Sequence, residues 1–203
     1  MSHYFEDVEH EKEDYFLIED YINHKKYTFQ SCDNVFSKNQ VDYGTKVLIS
    51  TILKNYKTLG KRVLDLGCGY GAIGISLADN YKDTHFVMSD ITKTAIRLCK
   101  QNIYLNKTQN IEIINSDLFD KIDGKFDFII TNPPIKVGKQ VLLNLISGAV
   151  DRLEENGEII LVIKKSHGKD SIKVALEETF GNCEILEREK GYYILRSQKT
   201  KEE

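Results

Sequence analysis

The sequence predicts an α/β protein built on a doubly wound, mostly parallel sheet, and three observations carry that expectation. From about residue 62 onward, short β-branched or aromatic runs alternate with longer amphipathic ones. Two of the short runs, FDFIIT (126–131) and GEIILVIK (157–164), are apolar nearly throughout, as strands covered on both faces are. The chemically unusual residues, namely glycines, aspartates and the chain's two prolines, fall just after strands, where open α/β sheets hold their ligands.

The elements follow in order. YFLIEDY and KYTFQS read as short strands and 41–57 as a helix leading into the core, so residues 1–45 form a small N-terminal β/α cover over the sheet's open end. Residues 46–203 form the core of the same domain, since no repeat or low-complexity linker divides the chain. RVLDL (62–66) is the first core strand and GAIGISLADNY (71–81) the helix after it. HFVMSD (85–90) is the second strand, and TKTAIRLCKQNIYLN (92–106) repeats its apolar residues at helical spacing. IEIINS (111–116) and FDFIIT are the third and fourth strands. The long run 139–156 is a helix, 157–164 the fifth strand and 169–180 another helix. CEILERE (183–189) and GYYILRS (191–197) are close enough to form an antiparallel hairpin.

Composition excludes several classes. With 41% hydrophobic and 29% charged residues in 203, the chain reads as one globular domain rather than a disordered segment. No apolar run approaches the roughly 20 residues that span a bilayer, and the acidic start differs from a signal peptide, so a cytoplasmic protein away from membranes is expected. Cys32, Cys68, Cys99 and Cys183 are scattered, as are the five histidines, which predicts reduced thiols and no metal site. The first 20 residues hold eight acids against one lysine, leaving the remainder with 27 bases against 23 acids. That mild basicity is compatible with RNA contact.

The stretch VLDLGCGYGAIG (63–74) places Asp65, Gly67, Gly69 and Gly71 at a strand-to-helix turn, where glycines permit positive φ and close approach of backbone to ligand. Residues 69–74 also satisfy GxGxxG, which keeps a dinucleotide cofactor in view. Asp65 argues against it: an acid beside the turn repels a pyrophosphate and favours the sulfonium and ammonium of S-adenosylmethionine. Asp90, with Ile91 behind it, ends the second strand 19 residues beyond Gly71, in place to accept ribose hydroxyls of either cofactor. Asp117 follows the third strand, suited to accept an adenine amino group while the Leu118 backbone donates to a ring nitrogen.

Both prolines lie in TNPPI (131–135). Proline lacks an N–H and cannot sit within a central ladder, so the fourth strand stops at Thr131. Pro133 and Pro134 hold the residues before them in extended geometry. Asn132 and Pro133 thereby become a rigid prong whose side-chain oxygen and carbonyl together suit an –NH2 group. Accepting both hydrogens of a delocalised amine directs its lone pair at a methyl donor, which is positioning plus electrostatic stabilisation without a strong base. Asn132 also borders the cofactor site. Ile135 follows the prolines, and Lys136, Lys139, Lys164 and Lys165, with His167 and Lys169, lie near enough to contact a substrate's phosphates.

On these residues the chain resembles the class I S-adenosylmethionine-dependent methyltransferases, a Rossmann-like fold, and within them the RsmC-like family of small-subunit rRNA guanine-N2 methyltransferases. The resemblance covers roughly residues 28–197 and rests on NVFSKNQVDYGTKVLI (34–49), VLDLGCGYGAIG, TNPPI and GYYILRS. It implies a seven-stranded sheet with an antiparallel last strand, S-adenosylmethionine as methyl donor, and a guanine 2-amino group of 16S rRNA, or of the small ribosomal subunit, as acceptor. It implies that Asn132, Pro133 and Pro134 orient the amine and that Phe36 and Ser37 line the cofactor pocket. A homodimer is left open. Many such enzymes carry Tyr or Phe where Ile135 stands. Three other readings compete: a protein glutamine N5-methyltransferase, a non-catalytic S-adenosylmethionine-binding module associated with RNA, and an NAD(P) oxidoreductase.

Overall fold

The computed structural model describes residues 14–32, 40–133 and 138–200 of the chain. Two strands, β1 (Tyr15–Ile22) and β2 (Lys25–Cys32), pair antiparallel and precede helix α1 (Tyr43–Asn55). The core alternates β3 (Arg62–Leu66), α2 (Ala72–Asn80), β4 (His85–Asp90), α3 (Lys93–Asn106), β5 (Ile111–Asn115) and β6 (Phe126–Thr131). It continues through α4 (Lys139–Arg152), β7 (Leu153–Lys164), a short 3-10 turn, α5 (Lys169–Phe180), β8 (Glu184–Glu189) and β9 (Tyr192–Gln198).

Seven strands form one sheet in the order β5-β4-β3-β6-β7-β9-β8. β3 pairs parallel with β4 and β6, β4 with β5, and β6 with β7. The final strand, β9, runs antiparallel to both β7 and β8. This is the expected doubly wound sheet with an antiparallel last strand. One buried cluster lies on the face carrying α1, α2 and α3, together with Phe29 of β2; the other gathers Leu145, Ile146 and Ala149 of α4 with Ile172 and Leu176 of α5.

The small β1–β2 sheet is fastened to the core chiefly by asparagines of α3. The Asn102 carboxamide accepts from Gln30 N at 2.6 Å and donates to Gln30 O and Tyr70 O at 2.9 and 2.8 Å. Asn106 repeats the pattern one turn later, accepting from Thr28 N and donating to Thr28 O. Their i, i+4 spacing puts both on one helix face, where they satisfy the edge strand's backbone.

One expected boundary is corrected. The helix anticipated over 139–156 ends at Arg152, and residues 153–156 open β7 instead. Leu and Glu there favour helix, but Leu153 pairs with Phe126, and Asn156 takes φ 63° while donating to Lys199 O at 3.0 Å. Tertiary hydrogen bonds override local propensity.

The sheet and α2 meet closely at Gly74. A Cβ there would lie 2.5 Å from Met88 Sδ and 3.0 Å from Asp65 Oδ2, and Met88 is fully buried. Gly74→Ala is therefore expected to destabilise the chain by about 1–3 kcal/mol through overpacking. A urea midpoint equal to the wild type's would contradict this.

Candidate active site

The carboxyl ends of four adjacent strands carry the unusual residues in a row. Asp117 follows β5, Asp90 ends β4, the glycine turn 67–71 follows β3, and Asn132 follows β6. At ordinary strand spacing the row is about 14 Å long. The Asn115 carboxamide ties the first two ends together by donating to Asp90 O and Ile91 O at 2.9 and 2.8 Å.

The turn is built from glycines because its backbone demands them. Gly67, Gly69 and Gly71 take φ of 73°, 56° and 97°. Its N–H groups are used inside the protein: Gly67 N and Cys68 N donate to Ser89 O at 2.9 Å, and Gly69 N to Asp90 Oδ2 at 2.9 Å. At the start of α2, Gly74 N donates to Asp65 Oδ2 at 2.8 Å. A carboxylate thus holds the positive helix end that a pyrophosphate would need. The donor set suits a ligand with a cationic centre and sugar hydroxyls, and it disfavours a dinucleotide.

Asp65 is buried, and its Oδ1 has no partner among the described residues. Burial, aided by the nearby Asp90 and opposed by the Gly74 N–H, pushes its carboxyl from the ordinary 3.8 up to about 7. Between those values the unfolded chain binds fewer protons than the folded one, so this group makes stability fall as pH rises from about 4 to about 7. Asp65→Asn should remove that slope. Urea midpoints followed across the range check it; parallel profiles for the two proteins would contradict it.

Asp90 is already a junction. Oδ2 accepts from Gly69 N, while Oδ1 accepts from Thr92 N at 2.9 Å and Thr92 Oγ1 at 3.1 Å. Three of roughly four lone-pair positions are thereby used, leaving capacity on Oδ2. Asp117 is exposed, and Leu118 beside it adopts φ 42°, an unusual conformation for a branched side chain that fixes the direction of the loop.

The prong stands level with the glycine turn. β3 and β6 pair through Asp65 and Ile130, and Thr131 Oγ1 donates to Leu66 O at 2.7 Å, so the next residue, Asn132, is level with Gly67. Asn132 Nδ2 donates to Asp42 Oδ2 at 3.1 Å and Thr45 Oγ1 at 2.8 Å, the N-cap and a first-turn residue of α1. Among the described residues nothing donates to Asn132 Oδ1. Pro133 is buried.

Beyond the prong, β7 continues three residues past Leu161, the register partner of Thr131, to Lys164, which is about 10 Å further along. Lys164 pairs with Tyr192 in register and lies over its ring at 5.6 Å. Tyr192 also packs at the start of α1, where a Cβ on Gly44 would be 2.7 Å from its ring. Lys164 and Lys165 are exposed. Lys169 is not: only 15% of its side chain is exposed, its ammonium pairs with Asp170, and it lies over Tyr193 at 5.2 Å, so it is held back from the rim.

Phe36, Ser37, Pro134, Ile135 and Lys136 lie outside the described residues, and Lys139 is described only as the start of α4. Asp42, Thr45 and Tyr192 were not singled out as site residues from the sequence. They come from segments 87 or more and 60 residues from Asn132 in the chain, and the only signal was their place in NVFSKNQVDYGTKVLI and GYYILRS. Among the described residues no cluster of His, Cys, Asp or Glu forms a metal site, and no helix is long and apolar enough to cross a membrane.

Sheet order, the antiparallel last strand and the row of strand-end groups define a class I S-adenosylmethionine-dependent methyltransferase fold. The chain belongs to the methyltransferase small domain family, whose sequence profile matches residues 26–196. It is 38% identical over 181 residues to the uncharacterized protein YbxB of Bacillus subtilis, covering 88% of this chain and 89% of that one. It is 31% identical over 179 residues to the ribosomal RNA small subunit methyltransferase C of Salmonella newport, covering 86% of this chain and 50% of that protein. Among solved structures, the T. thermophilus 16S rRNA N2 methyltransferase RsmC, in complex with AdoMet and guanosine, superposes with a TM-score of 0.82 at 26% identity, covering 91% of this chain and 50% of the other. The chain thus spans half the length of these two rRNA methyltransferases.

Proposed function

We propose that the chain transfers a methyl group from S-adenosylmethionine to the exocyclic 2-amino group of a guanosine in 16S rRNA. The observation that carries this reading is the Asn132 carboxamide, held level with the glycine turn with both amide hydrogens engaged and its oxygen directed away from them. When bound, S-adenosylmethionine supplies an electrophilic methyl group on a sulfonium, which passes to nitrogen as the carbon–sulfur bond breaks. Asp90 Oδ2, which has a free lone-pair position, would hold a ribose hydroxyl with Ile91 behind it, Asp117 would accept the adenine amino group, and the Leu118 backbone would donate to a ring nitrogen. Gly67, Gly69 and Gly71 would let the backbone approach the ligand, and Asp65 in its ionised form would contribute negative charge toward the cation.

Asn132 Oδ1 and the Pro133 carbonyl accept the two hydrogens of the guanine amine, which aims its lone pair and stabilises the positive charge that develops on nitrogen. The proton then leaves to water. Tyr192, with Lys164 over its ring, walls the site on the β7–β9 side. Lys164 and Lys165, exposed beyond the prong, meet phosphates flanking an extruded nucleotide.

Purified protein, methyl-labelled S-adenosylmethionine and small ribosomal subunits from cells lacking the protein test this together. Label recovered as N2-methylguanosine is the expected result; label in protein glutamine, or none in RNA, would refute it.

A further inference from the structure

We propose that Asp42 and Thr45 are positioning residues that lock the Asn132 carboxamide with its oxygen toward the substrate amine; this rests on the methyl-transfer reading above. A carboxamide presents either its oxygen or its NH2 to a ligand, and the two orientations differ by a half-turn about one bond. Only one of them is useful here, because an outward NH2 would meet the amine of the substrate donor to donor. The surroundings decide which is present. Asp42 is the N-cap of α1, and its Oδ2 accepts from Thr45 N at 3.0 Å, which fixes the carboxylate at the helix start. The same oxygen faces Asn132 Nδ2 at 3.1 Å. An ionised carboxylate only accepts, so turning the amide over would set oxygen against oxygen. Thr45 Oγ1, on a buried side chain, takes the second amide hydrogen at 2.8 Å.

The lock also strengthens the acceptor. Giving one hydrogen to a charged group polarises the amide and raises electron density on Oδ1, the atom that must hold an increasingly acidic N–H. Furthermore, it joins the site to the N-terminal cover. Asp20 of β1 accepts from Val41 N at 3.0 Å and pairs with Lys46 at 2.6 Å, bracketing Asp42 on both sides. The sequence DYGT (42–45) thereby acquires a role that its distance from the prolines concealed.

The test uses the full-length chain with Asp42→Asn, Thr45→Val and Thr45→Ser. Asn keeps the helix cap but can itself donate, and Val keeps the shape of Thr but removes the acceptor. Asp42→Asn and Thr45→Val are each expected to lower kcat for small-subunit methylation by about tenfold or more, with S-adenosylmethionine affinity within about twofold of wild type. Thr45→Ser, which restores the hydroxyl, recovers the rate. In 1H–15N spectra the Asn132 side-chain NH2 pair, assigned by its loss in Asn132→Ala, is protected from solvent exchange in the wild type and exposed in the two weakened variants. Melting temperatures near the wild type's exclude unfolding as the cause. Wild-type kcat in both variants, or unaltered protection of the NH2 pair, would overturn the lock. A wild-type protein that transfers no methyl group would instead refute the methyl-transfer reading, while the spectra still report on the lock itself.

Discussion

Replacing Asn132 by alanine is expected to lower methyl transfer by at least about 10²-fold while leaving S-adenosylmethionine affinity within about threefold of wild type. On the proposed mechanism the substitution removes an oxygen whose work is confined to the substrate amine as it gains charge. On the same reading, binding of the cofactor depends on groups at the ends of β3, β4 and β5, which the substitution leaves alone. Its structural cost is modest, since the bonds lost are those to Asp42 and Thr45, each worth about 1 kcal/mol. Steady-state kinetics with calorimetry of cofactor binding separates the two effects. A variant that turns over normally would remove Asn132 from the chemistry, and one that loses cofactor affinity in proportion would make it a binding residue only.

The second large effect falls on Asp90. On the proposed placement of the cofactor, Asp90→Ala removes a charged acceptor for a ribose hydroxyl, and it also frees Gly69 N, which shapes the glycine turn. The S-adenosylmethionine dissociation constant should rise about 10–100-fold, the equivalent of one charge-assisted hydrogen bond and part of a second. At saturating cofactor kcat should fall far less, because the prong on β6 is untouched. Asp90→Asn is the informative companion: it keeps an acceptor for Gly69 N but loses the charge, so an intermediate affinity is expected. An unchanged dissociation constant in Asp90→Ala would remove Asp90 from the cofactor site.

Strands β3, β4 and β6 were legible to the residue, because β-branched and aromatic runs bounded by glycine, asparagine and aspartate leave little choice of boundary. The row of strand-end groups was legible for a related reason: topology alone sends every residue after a parallel strand to the same edge. Two things were not legible. Leu153–Glu155 are helix-forming residues, and the pairing of Leu153 with Phe126 together with the Asn156 N–H on Lys199 O makes the segment strand. The hydrogen bonds from Asn132 to Asp42 and Thr45 join segments 90 and 87 residues apart, so no local pattern announces them. Asp42 reads from sequence as a helix cap, which it is, and its second partner appears only when α1 docks beside β6. Lys169 is hidden for a similar reason, since a lysine after a strand looks solvated until Tyr193 and Asp170 are placed against it.

The most direct measurement is mass spectrometry of nucleosides from 16S rRNA in cells that make the protein, cells that lack it, and lacking cells supplied with either the wild type or Asn132→Ala. One N2-methylguanosine should disappear with the protein, return with the wild type, and stay absent with the variant. N2-methylguanosine levels that are the same in all four would contradict guanine amine methylation by this site.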